Sequence, residues 1–371
     1  MTTLSPLLDL DDAEALVAAD TDGALRSAAL AGAQTRATAA SFADIVGERL
    51  IDLRPRSVVF VAGGGRAERA AEVLIAAVGA RIGVPLVHLP GTPPWVGPLD
   101  VVLVCGDDAG DPRLSESTAA AVRRGAETIL MTPDEGPLRA AAAGRALFLP
   151  PRVAVREPNT LMRYVAAGVS VLGSVAGGVH RPLLPDLSRL ADALDDEASR
   201  NHPSREVFHN PAKSVAVRMS NRRVVFSGAG ALAMEAARHG SEVMFRVAGV
   251  VSASSVLSEV IAAAVHAARA STAVPTDYDP FFHDEQVDGP RPEAAIRVLV
   301  AASPARATEA ERRTAAVSDV EILVAGVGGS NPAIPGEQGS MVDELGEFES
   351  MALLATRLEM AAAYLHLMGG T

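Results

Sequence analysis

One cysteine in 371 residues, Cys105, excludes an intrachain disulfide and any multi-cysteine zinc site. Aromatic residues are scarce as well, 4% of a chain that is 49% hydrophobic, so the core must be filled mostly by Ala, Val and Leu. Alanine and leucine favour helices, and extensive helix is expected. Lys and Arg number 33 against 45 Asp and Glu, a formal net charge of −12. Without a Lys/Arg-rich block, the chain lacks the phosphate-neutralising surface that duplex nucleic acid needs, and no nucleic-acid partner is expected. Small anionic ligands stay open, because they need only a local positive patch. Long hydrophobic runs are absent too. The most apolar stretch, Val165 to Val179, is short of the ~20 residues of a spanning helix and is glycine-rich, so no membrane partner is expected. The opening MTTLSPLLDLDD has no basic segment before an apolar one, which reads as a soluble, cytoplasmic protein without a signal peptide. No G-x-S-x-G elbow, H-E-x-x-H pair or G-x-x-x-x-G-K-[ST] loop occurs, and the eight histidines are scattered.

What the chain does contain is an internal repeat. RSVVFVAGGG begins at Arg56 and RRVVFSGAGA at Arg222, each running β-branched residues into glycines ahead of an alanine-rich stretch. In the first copy a helical stretch, Ala67 to Val78, separates VVFVAG (58–63) from strand-like VPLVHLP (84–90) and DVVLVCG (100–106). A helix from Ser115 to Arg124, then ETILMTP (127–133) and ALFLPP (146–151), complete it. The second copy has VVFSGAG (224–230), a helix through His239, a strand EVMFRVAG (242–249) and a helix from Ser252 to Ala270. IRVLVAAS (296–303), a helix near Glu309 to Ala316 and VEILVAG (320–326) follow. Val58 matches Val224, Leu103 matches Leu299, and Ile129 matches Ile322.

Short apolar strands alternating with helices argue for parallel βαβ units covered on both faces. The expected fold class is α/β, with two tandem units, each a mainly parallel sheet flanked by helices in an αβα sandwich. The boundaries read as a helical arm at 1–50, a first unit at 51–151, a helical connector at 152–210 and a second unit with a C-terminal helix at 211–371. The connector contains the amphipathic DLSRLADALDDEASR (186–200), and the acidic, proline-bounded 276–292 reads as an exposed excursion.

Several positions have chemistry to offer. The turn Gly63-Gly64-Gly65-Arg66 follows a strand and opens a helix, where backbone N–H groups and the helix dipole can hold a phosphate. A strand-to-helix glycine turn is also a routine structural device, and neither copy has the G-x-G-x-x-G spacing of a dinucleotide fingerprint. The loop Gly106-Asp107-Asp108 leaves the third strand at the end where open α/β sheets place ligands. Its acids, with Asp111, suit either a divalent cation or a solvated acidic turn. Arg152, after the fifth strand, is either an anion ligand or a surface residue. Glu242, at the start of a strand near the junction of the two units, is either a general base or solvent-facing. Nothing implies a cofactor, and none is expected.

Taken together, these stretches resemble the sugar isomerase (SIS) fold in tandem, specifically the bifunctional phosphoglucose/phosphomannose isomerases and their actinobacterial TobH-type branch. VAGGG resembles that family's G-x-G-G-S turn and PPR at 150–152 its Pro-Arg motif. NPAKSVAVRMSNRRVVFSGAG (210–230) resembles the entry to its second domain, and LATRLEMAAAYLHLMGG (354–370) its final helix. The resemblance implies aldose–ketose isomerisation of a sugar phosphate, Glu242 as base, and a homodimer assembled through helical faces such as Ser252 to Ala270. It also implies features that this chain lacks. The family histidine falls at Leu257, the expected terminal lysine has no counterpart, and Cys105-Gly106-Asp107-Asp108 replaces a phosphate loop rich in serine and threonine. A carboxylate ~4 Å from a phosphate costs about 4 kcal/mol at an effective dielectric constant of ~20. The expectation is therefore a divergent member that binds a sugar or sugar phosphate with lost or altered isomerase activity. The alternative is an active isomerase on glucose 6-phosphate and mannose 6-phosphate.

Overall fold

The two apolar runs that open the repeat become the first strands of two separate parallel sheets. The computed structural model describes residues 8–51, 53–176, 180–270, 296–326 and 346–369. The excursion expected at 276–292 lies outside the described residues. Helices α1 (Ala13–Ala19), α2 (Ala24–Ala28), α3 (Ala31–Phe42) and α4 (Glu48–Leu50) form the arm. The first sheet follows with β1 (Ser57–Ala62), α5 (Gly65–Val78), β2 (Leu86–Leu89), β3 (Asp100–Cys105), α6 (Pro112–Arg123), β4 (Glu127–Met131), α7 (Gly136–Ala142) and β5 (Leu147–Phe148). Helices α8 (Leu161–Val175), α9 (Leu187–Arg200) and α10 (Pro211–Met219) connect it to the second. There β6 (Arg223–Gly228), α11 (Ala231–Ala248), β7 (Ala253–Ser254), α12 (Leu257–Ala270), β8 (Ile296–Ala302), α13 (Pro304–Thr314) and β9 (Val320–Val324) are closed by α14 (Glu347–Leu367).

The strand orders are β2-β1-β3-β4-β5 and β7-β6-β8-β9, the same winding in both sheets. Phe60 pairs with Leu103 in the first and Phe226 with Leu299 in the second, so the first two sequence matches share one register. The third match slips. Leu103 pairs with Ile129 but Leu299 pairs with Glu321, which makes Glu321, not Ile322, the counterpart of Ile129.

Side chains alternate across each sheet, as strand geometry requires. Val58, Phe60 and Ala62 of β1 share one continuous core with Val224 and Phe226 of β6. Val59 and Val61 face a separate outer cluster under α6 and α7, and Val298 and Val300 face another near α12 and α13. Helices α5, α8, α11 and α14 contribute to the inner core, so the two sheets share a central helical layer. The arm is fastened to the connector by buried charge on α10. The Lys213 ammonium donates to the carbonyls of Leu10, Pro203 and Arg205 at 2.5, 2.7 and 2.6 Å. Among the described residues no helix is long and apolar enough to cross a membrane.

One expected element is absent. Residues 242–249 are not a strand but the last turns of α11, and the strand in that place is the two-residue β7. The apolar residues there follow helical spacing: Val243, Met244 and Val247 are buried while Phe245 is exposed. Gly249, read as the end of a strand, is a left-handed C-cap at φ 71°, with its N–H on the Phe245 carbonyl. Helix α12 accordingly begins at Leu257 rather than Ser252.

Candidate functional site

In a sheet wound this way, the connections from the first and third strands leave in opposite directions and open a crevice at the strand ends. In the first sheet the crevice lies between β1 and β3, and it gathers the turn Gly63-Gly64-Gly65 and the loop Gly106-Asp107-Asp108. Gly64, the N-cap of α5, has φ 151° and Gly65 has φ 66°, conformations that favour glycine. No side chain caps α5, so its first N–H groups remain open to an anion.

A residue the sequence reading passed over completes this turn. The guanidinium of Arg113 lies against it, with Cζ 3.4 Å from where a Gly63 Cβ would stand. Arg113 is the second residue of α6, whose start was legible in Asp111-Pro112, an N-cap aspartate followed by a first-turn proline. Asp111 accepts from the Arg113 backbone N–H at 2.8 Å and holds its side chain at 3.2 Å.

The acids of the β3 loop do not face the crevice as free charges. Asp107 accepts from the Tyr164 hydroxyl at 2.7 Å and from the Thr160 hydroxyl at 3.2 Å, and it sits 3.4 Å from the Arg163 guanidinium. Burial, reinforced by Asp107, pushes the Tyr164 phenol well above its usual range and keeps it a donor. Asp108 accepts from the Gly110 N–H at 2.7 Å. The repulsion expected from these carboxylates is correspondingly weakened, since Arg163 offsets the charge of Asp107. Among the described residues no group of three His, Cys, Asp or Glu is placed to hold a metal ion. Burial pushes the Cys105 thiol up to about 12, which removes it as a nucleophile at neutral pH.

Beside the crevice runs a charged seam between α5 and α11. Glu235, His239 and Glu242 lie on one face of α11 at i, i+4 and i+7, opposite Arg66 and Arg69 on α5. Arg66 donates to one Glu242 oxygen at 2.7 Å and Arg69 to the other at 2.5 Å. Arg69 also pairs with Glu235, which Arg238 joins. Arg66 is 4% exposed, and its Nε and one terminal nitrogen have no hydrogen-bond partner among the described residues. Beneath the seam, His239 Nε2 lies 2.8 Å from Glu359 Oε1 on α14, while Asn159 donates to Glu359 Oε2 at 2.8 Å. Burial pushes Glu359 up to about 8 and His239 down to about 3, so both are neutral at pH 7. Nearer the turn, Glu157 pairs with Arg246 at 2.8 Å and approaches Gly65.

The structure thus brings together Gly63, Gly64, Gly65, Gly106, Asp107 and Asp108, and sets Arg66 and Glu242 alongside. Arg152 stands apart. It follows the edge strand β5 and is exposed, and no described residue pairs with it.

No family model and no curated protein matches the chain. Solved structures do. A candidate phosphosugar isomerase from Silicibacter pomeroyi superposes with a TM-score of 0.57 at 16% identity, covering 93% of this chain and 95% of that one. The C-terminal domain of glucosamine-fructose-6-phosphate aminotransferase from Francisella tularensis gives 0.54 at 13% identity, covering 95% and 98%. Tagatose-6-phosphate ketose/aldose isomerase from Escherichia coli gives 0.52 at 14% identity, covering 91% and 90%. At these identities the likeness is one of architecture: the chain has the fold of the phosphosugar isomerase-like SIS proteins.

Proposed function

We propose that this chain binds a phosphorylated sugar at the β1–β3 crevice and has lost or altered the isomerase reaction of its structural neighbours. In this reading it is a divergent relative of the bifunctional phosphoglucose/phosphomannose isomerases of the TobH-type branch. Its two units, at 51–151 and 211–371, descend from one ancestor and the protein works as a cytoplasmic homodimer. Three features support phosphate binding: the uncapped N-terminus of α5, the glycine turn that lets a ligand approach, and the Arg113 guanidinium beside it.

The single observation that argues against ordinary catalysis is the state of Glu242. Aldose–ketose isomerisation needs a base with a free lone pair at the carbon-bound proton. Both Glu242 oxygens instead accept from guanidinium groups across the seam. The carboxylate serves as a strut between α5 and α11. The alternative, Glu242 as the base of an active isomerase, is favoured by its side chain being 32% exposed, enough for a substrate to reach it if the arginines yield.

Thermal-shift titration with glucose 6-phosphate, mannose 6-phosphate and fructose 6-phosphate, run beside a coupled isomerase assay, tests the reading. Stabilisation by a hexose phosphate without turnover is expected. Turnover that Glu242→Gln abolishes would establish the alternative, and no stabilisation by any of the three would remove sugar-phosphate binding.

A further inference from the structure

The second sheet has a crevice of its own between β6 and β8, which the proposed reading leaves unused. It shares the uncapped helix start, the glycine turn and the flanking arginine of the first crevice. Gly230 N-caps α11 at φ 117°, ψ 169°, as Gly64 N-caps α5 at φ 151°, ψ 177°, and no side chain caps either helix. Arg306, in the first turn of α13, holds Nε 3.2 Å and Cζ 3.5 Å from where a Gly230 Cβ would stand, as Arg113 does at Gly63.

One position differs in charge. Ala62 pairs with Cys105 in the first sheet and Gly228 with Ala301 in the second, so two residues further on Asp107 corresponds to Ser303. A hydroxyl therefore replaces a carboxylate. Ser303 is 5% exposed, and its Oγ has no hydrogen-bond partner among the described residues. It lines a small void of about 10 Å³ together with Gly230, Glu347 and Ser350, whose Oγ is likewise without a partner among the described residues. Buried hydroxyls are nearly always satisfied, so two unsatisfied ones converging on a glycine turn call for something that meets them. The same turn also borders a cavity of about 380 Å³ lined by Ala231, Glu235, Arg238, Ser258 and Arg313, within the range that holds a small organic molecule.

We propose that this second crevice is an additional anion site for a phosphomonoester. The α11 N-terminus and Arg306 hold the phosphate, Ser303 donates to it, and the organic body lies in the cavity beside Arg238 and Arg313. In the structure Arg306 is engaged by the Glu347 carboxylate at 2.5 Å. Glu347 therefore competes with the ligand, and removing its charge strengthens binding.

Isothermal titration of the full chain with glucose 6-phosphate, and separately with inorganic phosphate, tests this. Two binding events are expected. Arg306→Ala weakens one of them about tenfold or more, the effect of losing a charged hydrogen bond, and leaves the other. Arg113→Ala acts only on the other. Glu347→Gln tightens the Arg306-dependent event, a change in a direction that misfolding does not produce. A single event that survives Arg306→Ala, or no event at all, would overturn the second site. An Arg306-dependent event without an Arg113-dependent one would uphold it while removing the reading of the first crevice.

Discussion

Asp107 and Ser303 hold the same register position behind the third strand of their sheets, yet their surroundings are opposite. Asp107 is tied to Thr160, Arg163 and Tyr164 around the start of α8, so the first crevice is part of the frame that joins the sheet to the connector. The Ser303 hydroxyl has no hydrogen-bond partner among the described residues, and the second crevice is left with unmet donors. The difference teaches that a repeat can preserve backbone geometry while the charges around it are put to different use. The glycine turns, the helix starts and a flanking arginine are retained in both halves.

The largest expected effect is the contrast between removing one of these side chains and removing the other. Asp107→Ala leaves the Arg163 guanidinium, 7% exposed, without its carboxylate. Breaking such a pair costs about 3 kcal/mol, at the lower end of the range because Asp107 itself is partly exposed. Ser303→Ala removes a hydroxyl that has no partner among the described residues and is expected within about 0.5 kcal/mol of the parent. Urea unfolding reads both, and equal losses would erase the distinction.

A smaller effect comes from the central layer that both sheets share. Glu359 has its folded pKa raised to about 8, so the folded state keeps a proton that the unfolded chain releases near its ordinary value of 4.5, and stability falls as pH rises between the two. His239, lowered to about 3 from 6.5, contributes the opposite slope between those values. The two slopes oppose each other from 4.5 to 6.5, which leaves a net loss between pH 6.5 and 8. Thermal melts should show Tm falling over that window in the parent and a flatter profile in Glu359→Gln. An unchanged slope would remove Glu359 as its origin.

Ligand binding gives the next comparison. Arg113→Ala should weaken hexose-phosphate affinity at the first crevice about tenfold, and added salt should narrow the gap. The smallest effect belongs to Arg152→Ala. That side chain is exposed, with no described partner, so binding should be unchanged and stability should shift by no more than about 0.5 kcal/mol.

The sequence made the alternation of strands and helices in both sheets readable, apart from 242–249, because β-branched runs, glycine turns and alanine-rich helices recur in one order. The glycine turn at 63–65 and the loop at 106–108 could be placed at strand ends for the same reason. Contacts that depend on folding could not. Arg66 and Glu242 are 176 positions apart, and nothing local to either reports the other. Their spacing did carry a signal, since Arg66 and Arg69 form one stripe and Glu235, His239 and Glu242 another. That signal is readable only once 242–249 is a helix. Here the apolar run Val243 to Val247 imitates a strand, and Gly249 was the residue that marked a helix end. The carboxylates of the Asp107 loop looked like free charge because their partners, Thr160, Arg163 and Tyr164, lie more than fifty residues away.

The central claim is that the first crevice binds a sugar phosphate while Glu242 is held from proton transfer. It is tested most directly by nuclear magnetic resonance on glucose 6-phosphate in D₂O with stoichiometric protein. The account predicts a shifted or broadened phosphorus signal that Arg113→Ala diminishes, with no deuterium entering at C2 of the sugar. Deuterium at C2, lost in Glu242→Gln, would contradict it and make the chain a working isomerase.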